Sequence, residues 1–416
     1  MKDKPYRTVR LRLRPLKKGQ ATQLYAVAGA CRFVWNKYVE RANRREFKSY
    51  TFFSLCKSFP QLRNHAECKW LQNYSSAIIR NTVCKRFAAA YQAFFDGVRD
   101  RPKFHSRYGR KSFDLYEGTF KRDGGDLYIQ KIGWMKLKGA DAYEGIGEVK
   151  KMTVKEELGK WYAYLVYELD ADPQDYPTEH TILGVDVGVA IPVACSNGND
   201  YPLPDRSRLE AKIKRYQRKV ARQQKGSKRS KRTYQRIANA RRKQKHIRHN
   251  WAHHVSKDLA KSRVVAFEDL NVAGMTKSAK GTPDKPGKHV KAKSGLNREI
   301  LDKSWHQVAL LTEYKACETV LVDPKHTSQT CSHCGCVGAS NRKTQALYHC
   351  GECGLKINAD LNASINIAKR ALEKCPQTDR DQYRIEMASG SGASGRGRSV
   401  LTRDSSDPPT YVLGLT

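Results

Sequence analysis

The chain has 416 residues, with 78 Lys+Arg against 41 Asp+Glu and a formal net charge of +37 at pH 7. At ~100–200 residues per domain this length predicts two to four domains and a sizeable core. No apolar run approaches the ~18–20 residues that cross a bilayer, and the N-terminal MKDKPYRTVRLRLRP lacks the apolar region of a secretory signal. The expectation is a cytoplasmic protein with no membrane partner. A charge of this size self-repels unless a polyanion offsets it, and the basic stretches hold too few apolar residues for a membrane-surface helix. Nucleic acid is the partner that charge predicts.

In chain order, YRTVRLRLR (6–14) alternates apolar and basic residues as a half-solvated strand does. From Gln20 to about Phe47 the period becomes helical, with Leu24, Val27, Ala28, Cys31, Val34 and Trp35 on one face. A second helical stretch runs from about Ser75 to Val98. LYIQKIGWMKLKG and KWYAYLVYEL, the latter after a turn near Gly159, are strand-like in composition. Strand, helical insertion and further strands predict a small β-barrel interrupted by a helical domain at about 18–100. ADPQDYPTEH (171–180) reads as a linker.

The second half opens on TILGVDVGVAIPVACSNG, two apolar β runs around a glycine-flanked acid. A long basic helical segment (206–262) follows, then the short buried strand SRVVAFEDL and a Gly/Lys-rich loop (271–298). Next come a helix carrying Trp305, Val308, Leu311, Tyr314 and Lys315, the strand TVLVD, a cysteine-rich block and the helix DLNASINIAKRAL. Alternating strands and helices predict an α/β domain with a mixed sheet. The Gly/Ser/Pro-rich end, within 377–416, predicts a disordered tail.

Seven of the twelve cysteines are scattered through apolar contexts, as reduced buried thiols are. The other five crowd into 331–353. Cys331-x2-Cys334 and Cys350-x2-Cys353, fifteen residues apart, have the spacing of a four-cysteine zinc ribbon. Four thiolates leave no open position, so the single zinc is expected to be structural. Gly335 and Gly354 follow the two knuckles. Cys336 is expected to be a spectator, while His333 and His349 adjoin ligands and are the possible substitutes.

Three acids lie in apolar surroundings: Asp186 in LGVDVG, Glu268 in VVAFED and Asp360 in INADLNAS. A buried acid is costly unless it is paired or bound to metal. Mg²⁺ takes oxygen ligands, and two ions about 4 Å apart can serve the attacking water and the leaving oxygen of a phosphodiester. Such a site needs carboxylates converging from distant positions, which these three could supply. Each has a bland alternative: Asp186 a turn former, Asp360 a helix N-cap, Glu268 a salt-bridge partner. Asp269 competes with Glu268 and points the other way if the strand continues.

Taken together, LGVDVG, FEDLNVAGM, Trp305 with Tyr314-Lys315-Ala316, TSQTCSHCG and ADLNASINIA resemble, in that order, the TnpB family. Its members are insertion-sequence-associated, RNA-guided DNA nucleases related to type V CRISPR effectors. ACRFVWNKYVERA, AYQAFFDGV and RPKFHSR extend the resemblance to roughly residues 7–372. It implies a RuvC-like RNase H fold whose catalytic acids are Asp186, Glu268 and Asp360, holding two Mg²⁺. It also implies a guide RNA and target DNA as partners, in a monomeric ribonucleoprotein of a prokaryotic cytosol. Two departures stand out. The family often has Asp-Arg-Asp at the third acid, where this chain has Asn358-Ala359-Asp360, and the loop 271–298 is long, suggesting a lysine-rich lid.

The expected layout is an α/β plus α+β multidomain chain. A β-barrel with its helical recognition insertion spans 1–178, and a RuvC-like nuclease domain spans 179–376, with the basic insertion, the lid loop and a zinc ribbon at 327–357. Residues 211–250 hold 17 Lys/Arg and no Asp or Glu, so Lys214, Arg215, Arg218, Arg241 and Arg242 are expected to bind phosphates. By resemblance, Tyr50 and Asn81 fall near the places that read a short flanking duplex. The competing functions are a nuclease-inactive RNA-guided repressor and a DNA transposase with an RNase H-like fold.

Overall fold

The computed structural model describes residues 6–388 apart from 16, 18, 170–176, 283, 343, 345 and 376–379. These divide into two compact units, one before residue 174 and one after it. Most of the expected linker, and the tail beyond 388, lie outside the described residues.

The first unit runs β1 (Tyr6–Pro15), α1 (Gln20–Asn43), α2 (Phe52–Asn64), α3 (Ser76–Phe95), β2 (Ser112–Tyr116), β3 (Phe120–Asp123), β4 (Asp126–Ile129), β5 (Gly133–Lys138), β6 (Glu148–Glu157) and β7 (Lys160–Glu168). All seven strands join one antiparallel sheet in the order β2-β6-β7-β1-β5-β4-β3. Alternation in β1 buries Val9, Leu11 and Leu13 and leaves Arg10, Arg12 and Arg14 on the opposite face. β6 and β7 form a hairpin because Leu158 and Gly159 both take positive φ, +52° and +79°, the conformation a two-residue turn needs. Thr51 and Ser75 cap α2 and α3, accepting from the backbone N–H of Ser54 and Ile78. Helix α2 escapes a periodicity reading because only Leu55 and Phe59 of its residues are buried. Arg86 on α3 clamps Asp114 on β2 with two bonds of 2.8 and 2.9 Å. Although burial works against that carboxylate, the guanidinium wins and holds it below its ordinary range.

The second unit runs β8 (Thr181–Asp186), β9 (Ala194–Cys195), α4 (Ser207–Ala221), α5 (Lys228–Leu259), β10 (Val264–Glu268), α6 (Val272–Met275), α7 (Val290–Lys303), α8 (Trp305–Glu313), β11 (Glu318–Val322), β12 (Leu347–His349), β13 (Lys356–Asn358), α9 (Ala359–Lys374) and β14 (Arg384–Ile385). Its main sheet has the order β11-β10-β8-β14, with β9 also on β8. The β8, β10, β11 and β14 pairings are parallel and β9 is antiparallel, so the sheet is mixed. One core packs α5 and α8 residues Trp251, Val255, Val308 and Leu311 against Leu183 and Val265. Another packs α9 residues Ile367 and Ala371 against Ile182, Val264 and Val322.

Three expectations change here. The second apolar run after Asp186 yields only the two-residue β9. The expected lid loop contains α6, a turn closed by a Gly281–Pro286 bridge, and the start of α7 at Val290. Residues 380–388 of the expected tail are ordered: β9 pairs only Val185 and Asp186 of β8, and β14 takes up Thr181 and Ile182. Glu386 fastens that strand, its carboxylate accepting from Ser262 (2.5 Å) and Asn197 (3.2 Å).

Candidate functional site

Asp186 ends β8 and Glu268 ends β10. The parallel register pairs Val185 with Phe267, so the two acids are the next residues along adjacent strands, at their carboxyl ends. Ligands of open α/β sheets gather at that edge. Asp360 arrives from the first turn of α9, which Asn358 caps by accepting from the N–H groups of Asp360 (2.8 Å) and Leu361 (3.1 Å). The departure from Asp-Arg-Asp is thereby a helix cap at Asn358 and a buried packing residue at Ala359, set against Cys331 and Tyr348.

α9 lies directly on β8, and Gly184 makes that possible. A Cβ there would stand 1.9 Å from Ser364 O and 2.7 Å from Ala368 N. Gly184→Ala is expected to force helix and strand apart, destabilise the unit by about 3 kcal/mol or more, and abolish any activity that needs Asp186 and Asp360 together. Calorimetry alongside a cleavage assay checks this.

The electrostatics tie the three acids together. Burial first, then the charges of Glu268 and Asp360, push the Asp186 carboxyl up to about 7, with Arg342 opposing. Burial also raises Glu268 and Asp360, against Thr327 and Arg370 for the former and Arg342 for the latter. Arg342 Nη2 lies 3.6 Å from Asp360 Oδ1, and the Thr327 hydroxyl donates to Glu268 Oε1. Asp269 is exposed and its N–H joins Val322 O. Asp200, which sequence reasoning passed over, is close enough for Asp360 to raise it after burial. Oxygen donors with this much uncompensated negative charge suit a hard divalent cation. They are more spread than the cysteines, which among the described residues form the one His/Cys/Asp/Glu group with ligand atoms all within 4.8 Å of one another.

That group is Cys331, Cys334, Cys350 and Cys353. Sγ atoms of Cys331 and Cys353, and of Cys334 and Cys350, are 3.6 Å apart. Tetrahedral Zn–S bonds of about 2.3 Å place sulfurs about 3.8 Å apart, so the donor set fits zinc. Gly335 (φ +77°) and Gly354 (φ +70°) return an N–H to the carbonyls of Cys331 and Cys350, closing each knuckle. Cys336 stands outside the group, and so do His333 and His349. Serine at any of the four cysteines is expected to lower bound zinc and thermal stability, whereas Cys336→Ser leaves both unchanged. Elemental analysis with a melting curve decides it.

The basic segment folds as α4 and α5 packed on each other through Ile213, Tyr216, Val220, Ile237 and Ala240. Lys214, Arg215, Arg218 and Arg241 are exposed and Arg242 is half-buried. In the first unit, Tyr50 stacks on Tyr91 at 3.8 Å between ring centroids, so one ring face is already occupied. Asn81 is half-buried on α3, beside Thr82, whose hydroxyl bonds the Asp114 backbone.

The molecule thus pairs an acid cluster on a mixed α/β sheet with a four-cysteine ribbon and a strongly basic helical hairpin, the equipment of a protein that handles nucleic acid. Residues 164–279 match the family described as "Probable transposase" (OrfB_IS605), 305–367 a "Cas12f1-like, TNB domain" and 6–46 a "Helix-turn-helix domain". The last of these segments is a strand followed by a helix here. The chain is 31% identical over 365 residues to the Escherichia coli (strain K12) protein InsQ, whose name is that of an RNA-guided DNA endonuclease, covering 84% of this chain and 88% of that one. It is 25% identical over 370 residues to a Streptomyces pristinaespiralis protein with the same functional name, covering 85% and 86%. A solved Cas12f1–sgRNA–target DNA complex shares the fold at TM-score 0.53 and 14% identity, over 88% of this chain and 99% of that one. The chain belongs to the TnpB family.

Proposed function

We propose that this chain is an RNA-guided DNA endonuclease of a mobile genetic element, cutting target DNA at one RuvC-like site built from Asp186, Glu268 and Asp360. The observation that carries the reading is the convergence of three acids from distant chain positions, Asp186 and Glu268 at the ends of paired strands and Asp360 on the helix packed on β8. Burial and then the charges of Glu268 and Asp360 raise Asp186 there to about 7. The names carried by InsQ and the Streptomyces relative support guide RNA and target DNA as partners. No helix among the described residues is long and apolar enough to cross a membrane.

The three carboxylates would hold the divalent cations, two Mg²⁺ in this reading, which when bound supply activation of the attacking water and stabilisation of the departing 3′ oxygen. The residues of the chain set the conditions. Asp186 must lose its proton to act as a ligand, Arg342 favours the charged form of Asp360, and Thr327 fixes one oxygen of Glu268. The α4–α5 hairpin contributes charge that binds phosphates without reading sequence, and the cysteine ribbon binds one structural zinc.

Loading the protein with its RNA, adding matching duplex DNA and Mg²⁺, and examining the ends tests the reading. Cleavage to 5′-phosphate ends supports it. The family description over 164–279 favours a transposase instead, and joined DNA products would select that reading. Binding without cutting at any Mg²⁺ concentration would select the repressor.

A further inference from the structure

A tight turn joins β11 to the first knuckle. It holds Thr327, a residue only 3% exposed. We propose that Thr327 is a positioning residue that fixes the Glu268 carboxylate for cation binding and makes its geometry depend on the zinc ribbon. The inference rests on the reading of Glu268 as a ligand given above.

Three observations carry it. First, Thr327 Oγ1 donates to Glu268 Oε1. The same oxygen lies 3.0 Å from Pro324 O, but one hydroxyl proton cannot serve both acceptors, and a charged carboxylate is the stronger. A carboxylate accepts on both oxygens, so this bond leaves Oε2 for a cation.

Second, the turn is built to hold Thr327 in place. His326 takes a left-handed conformation, φ +60°, which a non-glycine residue keeps only where its surroundings impose it. Its ring nitrogen Nδ1 is 2.9 Å from Gln329 Oε1, and its carbonyl accepts from the N–H groups of Gln329 and Thr330 at 3.0 Å.

Third, α9 grips this turn and the first knuckle through buried amides one turn apart. Asn366 Nδ2 donates to Thr327 O (2.9 Å) and Thr330 O (2.7 Å). Asn362 Nδ2 donates to Thr330 O (2.8 Å), and its Oδ1 accepts from Ser332 N (2.9 Å). One turn further along, Lys369 Nζ reaches Ser332 O at 2.5 Å. Two buried asparagines are costly in a helix unless fully bonded, and both are bonded to the segment that leads into Cys331. A single frame therefore joins the first knuckle, the helix bearing Asp360 and the partner of Glu268. Partners of this outer kind typically change metal affinity or activity by about 10–100-fold when removed.

The test uses the full chain. Thr327→Val keeps the shape and removes the donor, and Thr327→Ser keeps the donor. Mn²⁺ binding to RNA-free protein, followed by electron paramagnetic resonance, is a readout independent of cleavage. Thr327→Val is expected to weaken Mn²⁺ about tenfold and to raise the Mg²⁺ midpoint for cleavage about tenfold. Cleavage at saturating Mg²⁺ returns to within about threefold of wild type, zinc content and melting temperature are unchanged, and Thr327→Ser behaves as wild type. Wild-type Mn²⁺ affinity and Mg²⁺ midpoint in Thr327→Val overturn the proposal. So does a loss of zinc and stability shared by the valine and serine variants, which makes Thr327 structural only. Glu268→Ala runs alongside: if it keeps Mn²⁺ binding and cutting, the acid site itself is misassigned. If it loses both while Thr327→Val keeps both, only the role of Thr327 fails.

Discussion

Alanine at Asp186, Glu268 or Asp360 is expected to lower DNA cleavage on the order of 10³-fold and to leave RNA-dependent DNA binding within about twofold. Asp269→Ala, at an exposed position just past the end of β10, is expected to cut normally. The same site makes a second, opposite prediction about stability. The folded carboxyl of Asp186 stands at about 7 against an ordinary 3.8, through burial and then its two acidic neighbours. Between those values the folded state holds a proton that the unfolded state has released, so stability without divalent cations falls as pH rises through that window. Above about pH 7 the cation-free protein carries the whole penalty. Asp186→Asn removes it, so this inactive variant is expected to melt higher than wild type at pH 8, with the gap closing toward pH 4. Divalent cation binding displaces the proton, so wild-type affinity for Mg²⁺ rises with pH up to about 7. Calorimetry across pH, with and without Mg²⁺, checks both signs. A cation-free Asp186→Asn variant less stable than wild type at pH 8 would contradict the burial and neighbouring charge that raise this carboxyl.

Much of this site was legible because its chemistry is costly in an apolar setting. Asp186 and Glu268 each close a strand whose preceding residues are buried, so the sequence there reads as a β run ending in an acid. The cysteine knuckles announce themselves by spacing and by the glycines that close them. The parts that stayed hidden are those in which a common residue acts through its neighbours. Gly184 looks like one glycine among many until α9 is set against β8. Thr327, Asn362 and Asn366 lie within TSQTCSHCG and ADLNASINIA, but they carry neither charge nor periodic signal, and only tertiary contact gives them partners. Arg342 was one arginine in a very basic chain, and its value lies in facing Asp360. The strand β14 was hidden for a different reason. It is two residues long, and it forms because β9 leaves half an edge of β8 open, a vacancy no local pattern records.

The remaining large effect separates guided from unguided cutting. A chain with net charge +37 binds any nucleic acid at low salt, so affinity alone decides nothing. The exposed Lys214, Arg215, Arg218 and Arg241 line a helical hairpin with no acid between residues 211 and 250, a surface suited to phosphates and blind to base identity. A guided nuclease leaves sequence choice to base pairing and reads only a short flanking duplex itself. RNA-free protein is therefore expected to show no site-specific cutting and to gain it with its cognate RNA. Replacing the guide segment of that RNA is expected to move the cut to the new matching site, with the flanking duplex requirement unchanged. Neutralising six or more of the basic residues in 211–250, with the three acids intact, is expected to weaken ribonucleoprotein assembly and flatten its salt dependence by roughly 0.7–0.9 in log–log slope per lost phosphate contact. If protein stripped of RNA cuts one fixed DNA sequence as well as the loaded complex does, recognition resides in the side chains. The basic hairpin then serves a protein-read endonuclease or transposase, and the guide has no part in choosing the site.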